Sequence, residues 1–297
     1  MSTFLEITEE TLAEVSSYVR NQESLTVLLQ SVSDTDLTFT VDDATALSRG
    51  IAEIGDELIY IKSVNKTAGT VEIMPGGRGF RGSTAIAHSV NAFIRNNPTF
   101  PRTQIKRAIN DTIQGIDLVA IGSHTFTFDG VTYAYPLPTD FEEITGVSFD
   151  AVGPTDVWHL LKRYRVDRNF RVDGAPSTVR SAIVLLEAPM AGRDVRVQYT
   201  KYPSPLANNS DNFASTSGLP QSTEDVIRLG AMWRLVSTID PGKVTAVSPS
   251  ADAMDAPFEV GQSSSVARYL YQLFGVRLSE EKAKQQKNYL SIIQYAR

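Results

Sequence analysis

Helical and strand-like patterns alternate in long blocks along the 297 residues, and this order restricts the fold more than any single motif does. Residues 1–35 open with a predicted helix from Thr8 to about Arg20. Thr8 stands as its cap, Glu9 and Glu10 face the positive end of the helix dipole, and Leu12, Val15 and Val19 share one face. Residues 36–100 read as a small β-rich module. Leu37, Phe39 and Val41 alternate with threonines, and the runs Leu58–Ile61 and Thr70–Met74 flank a turn at Asn65–Gly69. A second helix over 101–116 starts behind Pro101 and carries the stripe Ile105, Ala108, Ile109, Ile113.

Residues 117–205 return to strand text. Thr125–Phe128 and Val131–Tyr135 flank Asp129-Gly130, which predicts a hairpin, and further strands are expected at 143–150, 157–166, 180–187 and 194–201. This larger region is expected to form a β-sandwich. A Pro/Ser/Asn/Gly-rich linker at 206–221 then leads to a helical segment over 222–297, broken or kinked at Gly275. The fold class expected is therefore α+β. N-terminal, central and C-terminal helices would form a helical bundle carrying two inserted β-rich modules, one small and barrel-like and one a β-sandwich.

Composition narrows the chemistry. The chain has no cysteine, which removes disulfides, zinc–thiolate sites and thiol nucleophiles. No apolar run approaches the ~18 residues of a membrane helix, and residues 1–10 carry acids where a secretion signal would be basic and apolar. Against a formal charge of −6, Lys162, Arg163, Tyr164 and Arg165 with Arg168 and Arg171 form one basic cluster, with Tyr164 and Phe170 interleaved. The pattern is read first as an ordinary solvated strand face; if it makes an interface, Arg163, Arg165, Arg168 and Arg171 are the candidates, with protein favoured over DNA as the partner.

Catalytic, cofactor and metal sites are not expected. Gly77-Arg78-Gly79-Phe80-Arg81-Gly82 matches the dinucleotide fingerprint G-x-G-x-x-G. The region about twenty residues on, where that site needs an acid, reads Asn97-Pro98-Thr99-Phe100-Pro101, so a tight glycine-rich turn is expected instead. His88, His124 and His159 are isolated and read as packed or surface residues. Asp34, Asp36, Asp42 and Asp43 lack the glycine and terminal glutamate of a calcium loop and read as turn formers.

Two stretches carry a resemblance. Ile54–Ile61 with its Gly55-Asp56-Glu57, followed by Gly77 to His88, resembles a β module recurrent in virion proteins of tailed bacteriophages. Leu219 to Ala231 and the charged last helix are similar to the helical end of phage neck proteins. The family resembled is that of head-to-tail adaptor (connector) proteins. What this implies is a structural virion protein of the phage neck and not an enzyme. It would be a self-assembled, dodecameric ring docked beneath the portal protein, linking it to a tail or nozzle protein and leaving a channel that DNA passes with only loose contact. The resemblance puts portal contact on the last segment, through Glu280, Lys284, Lys287, Tyr289, Ile293, Tyr295 and Arg297. Other readings are a different tail component (nozzle, baseplate or fibre-attachment protein) and a tail-associated hydrolase, which would need a cluster of acids or a His-Asp-Ser constellation.

Overall fold

The computed structural model describes residues 2–18, 23–151, 157–171, 179–238 and 262–288. Two compact units divide the chain: Ser2–Thr112 with Asp225–Gly275, and Ile113–Glu224 with Val276–Arg297.

In the first unit, helix α1 (Phe4–Ser16) starts four residues before the expected cap. Thr3 caps it: its hydroxyl accepts from the Glu6 amide at 3.3 Å while the Glu6 carboxylate accepts from the Thr3 amide at 2.8 Å. Thr8 is buried inside the helix, where its hydroxyl donates to the Phe4 carbonyl. Strands β1 (Ser24–Val27), β2 (Thr38–Thr40), β3 (Gly50–Ile54), β4 (Glu57–Asn65), β5 (Thr70–Ile73) and β6 (Phe93–Asn96) form one antiparallel sheet in the order β1-β6-β3-β4-β5-β2. Its two outer strands meet. Leu28 bridges Val41, the Leu29 amide donates to the Thr40 carbonyl at 3.1 Å, and the Asp42 amide donates to the Val27 carbonyl at 3.0 Å. The sheet thus closes on a core of Leu28, Val32, Phe39, Val41, Ile54, Ile59, Ile61, Val71, Ile73 and Ile94. Closure leaves no long free edge to template aggregation. Each fully buried Ile or Leu in this core contributes about 1.5–3 kcal/mol. Helix α2 (Arg102–Gly115) follows, burying Ile105, Ala108 and Ile109 as its stripe requires.

The second unit holds seven strands: β7 (Ala120–Thr127), β8 (Ala134–Pro136), β9 (Glu143–Asp150), β10 (Trp158–Leu160), β11 (Tyr164–Arg171), β12 (Val179–Leu185) and β13 (Asp194–Lys201). They make a four-stranded sheet, β10-β9-β13-β7, and a three-stranded one, β11-β12-β8. Phe128, Phe141, Val147, Leu161, Ile183, Leu185, Val195 and Val197 fill the core between them. The expected Asp129-Gly130 hairpin does not exist as a pairing. The turn forms, with the Asp129 carboxylate accepting from the Val131 and Thr132 amides and Gly130 at φ +85°, but β7 pairs β13 while β8 pairs β12. The chain crosses between sheets there, and the half-buried rings of Phe126 and Tyr135 stack at 4.1 Å against the core. The 206–221 stretch carries the short helix α3 (Phe213–Ser217) and buries Leu206, Phe213 and Leu219.

Helix α4 (Glu224–Ser237) buries Val226, Ile227, Ala231, Met232, Leu235 and Val236. Its Gly230 lies against Thr112 and Phe274, with no room for a Cβ. Helix α5 (Gln262–Asn288) runs unbroken through Gly275, where a Cβ would meet nothing. The expected kink is absent because the i→i−4 ladder tolerates one glycine at a cost of only about 1 kcal/mol.

The expected helical bundle with inserted β modules is overturned. Among the described residues, thirteen strands in three sheets outnumber five α-helices, so the fold is mixed α and β and rich in strand. Two buried apolar clusters lie within these sheets; β1 arises in the segment expected to be helical, and β3 and β6 lie in the expected β-rich module at positions not assigned to strands.

Candidate interaction surfaces

The residues that carried the phage resemblance converge on one carboxylate. Glu57, at the start of β4, is fully buried and accepts from Arg78 Nε at 2.7 Å and Nη2 at 2.9 Å, from the Gly79 and Ile86 amides at 2.9 and 3.2 Å, and meets His88 Nε2 at 2.7 Å. Arg78 also donates to the carbonyls of Ser33, Asp36 and Ile86. One ion pair thereby ties three loops together. Burial alone would raise the Glu57 carboxyl; the Arg78 and His88 side chains and the two amides reverse this and hold it at about 2. Gly79 sits at φ +60° with Ser83 and Ala85 backbone against its Cα, so the G-x-G-x-x-G run is a tight turn. The individual histidine gave no hint of this clasp. The signal was the joint spacing of Glu57, Arg78 and His88.

A second buried carboxylate, Glu53 on β3, takes Arg95 Nη1 at 2.5 Å and the Arg102 amide at 2.6 Å. Arg95 reaches Glu23, and Arg102 reaches Glu9. Burial pushes the Glu53 carboxyl up despite these partners. Both networks hold the closed sheet and its loops in register; neither opens to a substrate.

The structure places the basic cluster on the β11–β12 hairpin. Arg163, Arg165, Arg168 and Arg171 are all exposed, with Lys162 beside them and exposed Arg180 opposite Phe170. Among the described residues none of these six cations makes an ion pair; Arg168 donates only to the Glu142 carbonyl. Elsewhere the chain's cations are largely paired, as at Lys62–Glu72, Lys106–Asp56, Lys201–Asp140 and Arg228 with Glu10 and Glu14. Burial raises the Tyr164 hydroxyl, and Tyr164 and Val166 turn into the core, leaving Arg165 on the outer face.

The C-terminal candidates separate. Glu280, Lys284 and Lys287 lie on α5, while Tyr289, Ile293, Tyr295 and Arg297 fall outside the described residues. Glu280 pairs with Arg277 and Lys284 with Glu281; Lys287 is exposed. Among these charged residues Glu281 is buried and accepts from the Ser222 hydroxyl at 3.0 Å. Gln285 accepts from the Val119 amide and donates to its carbonyl, and Lys282 pairs with Asp117. Helix α5 is docked here by polar contacts, a pattern that hydropathy does not reveal.

His124 and His159 rest against Phe126 and Phe149. Asp36 accepts from the Ser33 amide and Asp43 from the Thr45 amide, as turn formers do. No group of three His, Asp or Glu side chains could hold a metal ion among the described residues, and no helix among them is long and apolar enough to cross a membrane.

A sequence-family model places the chain among phage adaptors, a class of structural proteins and not a known enzyme family; its description is SU10 adaptor protein, and it matches residues 83–275, about two thirds of the chain. The chain belongs to the SU10 adaptor protein family. No curated protein matches it. The head-to-tail resemblance drawn from Glu57, Arg78 and His88 agrees with this family at the level of a phage structural adaptor, which acts by contact with other components of the particle.

Proposed function

We propose that this adaptor is a head-to-tail connector of the virion. Copies form a ring that docks beneath the portal protein, links it to a tail or nozzle protein and leaves a channel for DNA. The observation that carries the reading is the family match over 83–275, which takes in Ile86 and His88 of the Glu57 clasp, the β11–β12 hairpin and all of α4. Clasped loops suit a part that must hold its shape under load. The formal charge of −6 suits a channel wall, since duplex DNA is held through phosphate contacts with Lys and Arg and slides where these are few. Portal contact is assigned to the end of α5, through Lys287 with Glu280 and Lys284 and on to Tyr289, Ile293, Tyr295 and Arg297. The exposed arginines Arg163, Arg165, Arg168 and Arg171 serve a protein–protein contact.

Mass photometry of the full chain, alone and with the portal protein encoded beside it, tests this. A ring-sized complex with portal that is lost in Lys287→Glu combined with Ile293→Asp is the expected result. A chain that stays monomeric and ignores portal would move the assignment to another tail component.

A further inference from the structure

The first unit exposes an apolar patch bordered by acid, and the second exposes a leucine set among cations. In the closed sheet, Val27 pairs with Phe93 and Leu25 with Arg95, so Leu25, Val27 and Phe93 project from the outer face of β1 and β6. Leu29 continues the alternation beyond β1, with Leu28 buried before it. Leu25, Leu29 and Phe93 are 55%, 53% and 64% exposed, and neighbouring large apolar groups of this exposure on one sheet face mark a contact surface and not scattered surface residues. Asp42 borders it, its amide donating to the Val27 carbonyl; Asp43 follows at the strand's edge, its amide on the hydroxyl of inward-facing Thr26 and its carboxylate on Thr45. Both are exposed, and the Asp42 carboxylate has no partner among the described residues.

The second surface is the β11–β12 hairpin. The Leu186 amide donates to the Arg163 carbonyl, which sets Leu186, 57% exposed, beside Arg163 and Lys162, with Arg165, Arg171 and Arg180 further along. The sequence divides its charge in the same sense. The unit with the closed sheet carries 14 cations against 19 acids, a net −5, and the unit with the hairpin 14 against 15, a net −1.

We infer that the β1–β6 face of one copy receives the β11–β12 hairpin of a second copy. Leu186 packs against Leu25, Leu29 and Phe93, and the hairpin arginines meet the acidic border at Asp42 and Asp43. The occupant is a second copy because this chain itself carries the complementary partner, an apolar residue set among unpaired cations. Different surfaces on the two copies make the contact heterologous, which propagates head to tail and closes into a ring when the rotation allows. The inference rests on the self-assembly reading above and names the surfaces that perform it.

The absence of cysteine in the chain makes the test direct. Ser24→Cys and Glu187→Cys place single thiols at the margins of the two surfaces, on residues exposed in the structure. The two full-length variants are mixed with a short bis-maleimide while mass photometry follows assembly with and without portal protein. A covalent dimer from the mixture, absent from either variant alone and at least ten-fold weaker when Arg165→Glu and Arg171→Glu are added to the Glu187→Cys chain, is expected. Circular dichroism confirms that this multiple variant is folded. Assemblies that form without the mixed cross-link, or that cross-link from one variant alone, overturn this pairing and leave self-assembly standing. No assembly under either condition overturns both.

Discussion

Replacing Glu57 with Gln tests whether the clasp organises the closed sheet's loops. In the folded chain the carboxyl is held at about 2 against an ordinary 4.5. At about 1.36 kcal/mol per pH unit, the charged form is favoured by ~3 kcal/mol. The sign follows from linkage: a carboxylate with a depressed folded value gives stability that is fully present above pH 4.5 and is lost as pH falls toward 2. Glu57→Gln removes the charge at every pH and leaves Arg78 buried without a counter-ion, a change that costs about 3–5 kcal/mol in buried pairs. For a unit of this size that lowers its melting temperature by about 10 °C. Differential scanning calorimetry at pH 7 measures the drop, and hydrogen exchange at the Gly79 and Ile86 amides reads the clasp locally. Both amides should exchange faster in the variant, and the variant should lose the part of the wild-type acid sensitivity that lies between pH 4.5 and 2. A loss below about 1 kcal/mol, with those two amides still protected, would refute the argument, because a buried guanidinium left unpaired cannot be that cheap.

Glu53→Gln should cost less at pH 7 than Glu57→Gln. Burial holds the Glu53 carboxyl above its ordinary value, so its contribution is present below pH 4.5 and declines as pH rises; calorimetry should show Glu53→Gln gaining on wild type as pH rises above 4.5, and Glu57→Gln gaining on it only as pH falls from 4.5 toward 2. Gly230→Ala pushes a methyl into Thr112 and Phe274 and should destabilise by about 1–3 kcal/mol, whereas Gly275→Ala meets open space in mid-helix and should stabilise by about 1 kcal/mol, both read by urea denaturation. Phe126→Ala removes the ring stacked on Tyr135 and should cost about 2–4 kcal/mol, seen as a lower urea midpoint for the two-sheet unit.

The sequence showed its turns and apolar runs more clearly than its pairings. Periodicity located α2, α4 and most strands of the second unit to within a few residues, because each buries a one-sided stripe. It failed where the partner was distant. Asp129-Gly130 supplied hairpin chemistry, but a turn specifies only a change of direction, and β7 and β8 pair with β13 and β12, strands distant in sequence. The strands β1, β3 and β6 are short and carry Arg95 and Glu53, charges that read as solvent-facing and are in fact each other's buried counter-ions. The docking of the last turns of α5 is hidden for the same reason, since Glu281 and Gln285 are buried with hydrogen bonds to Ser222 and Val119 that no hydropathy window detects.

Buried charge also separates what the chain uses to fold from what it keeps for contact. Arg78, Arg95 and Arg102 each sit on a buried glutamate, where removing one partner is costly and the pairing is fixed. The arginines of β11–β12 are exposed and unpaired, so folding gains little from them and a short strand bears their mutual repulsion. A strand with Arg163, Arg165, Arg168 and Arg171 is thus less stable alone than beside an acidic surface. Binding of such a surface therefore gains the attraction and also relieves the repulsion already present. Screening by salt weakens both contributions for exposed charges, so the assembly proposed through this hairpin should weaken as ionic strength rises, while the Glu57 and Glu53 pairs, both buried in the first unit, are screened far less.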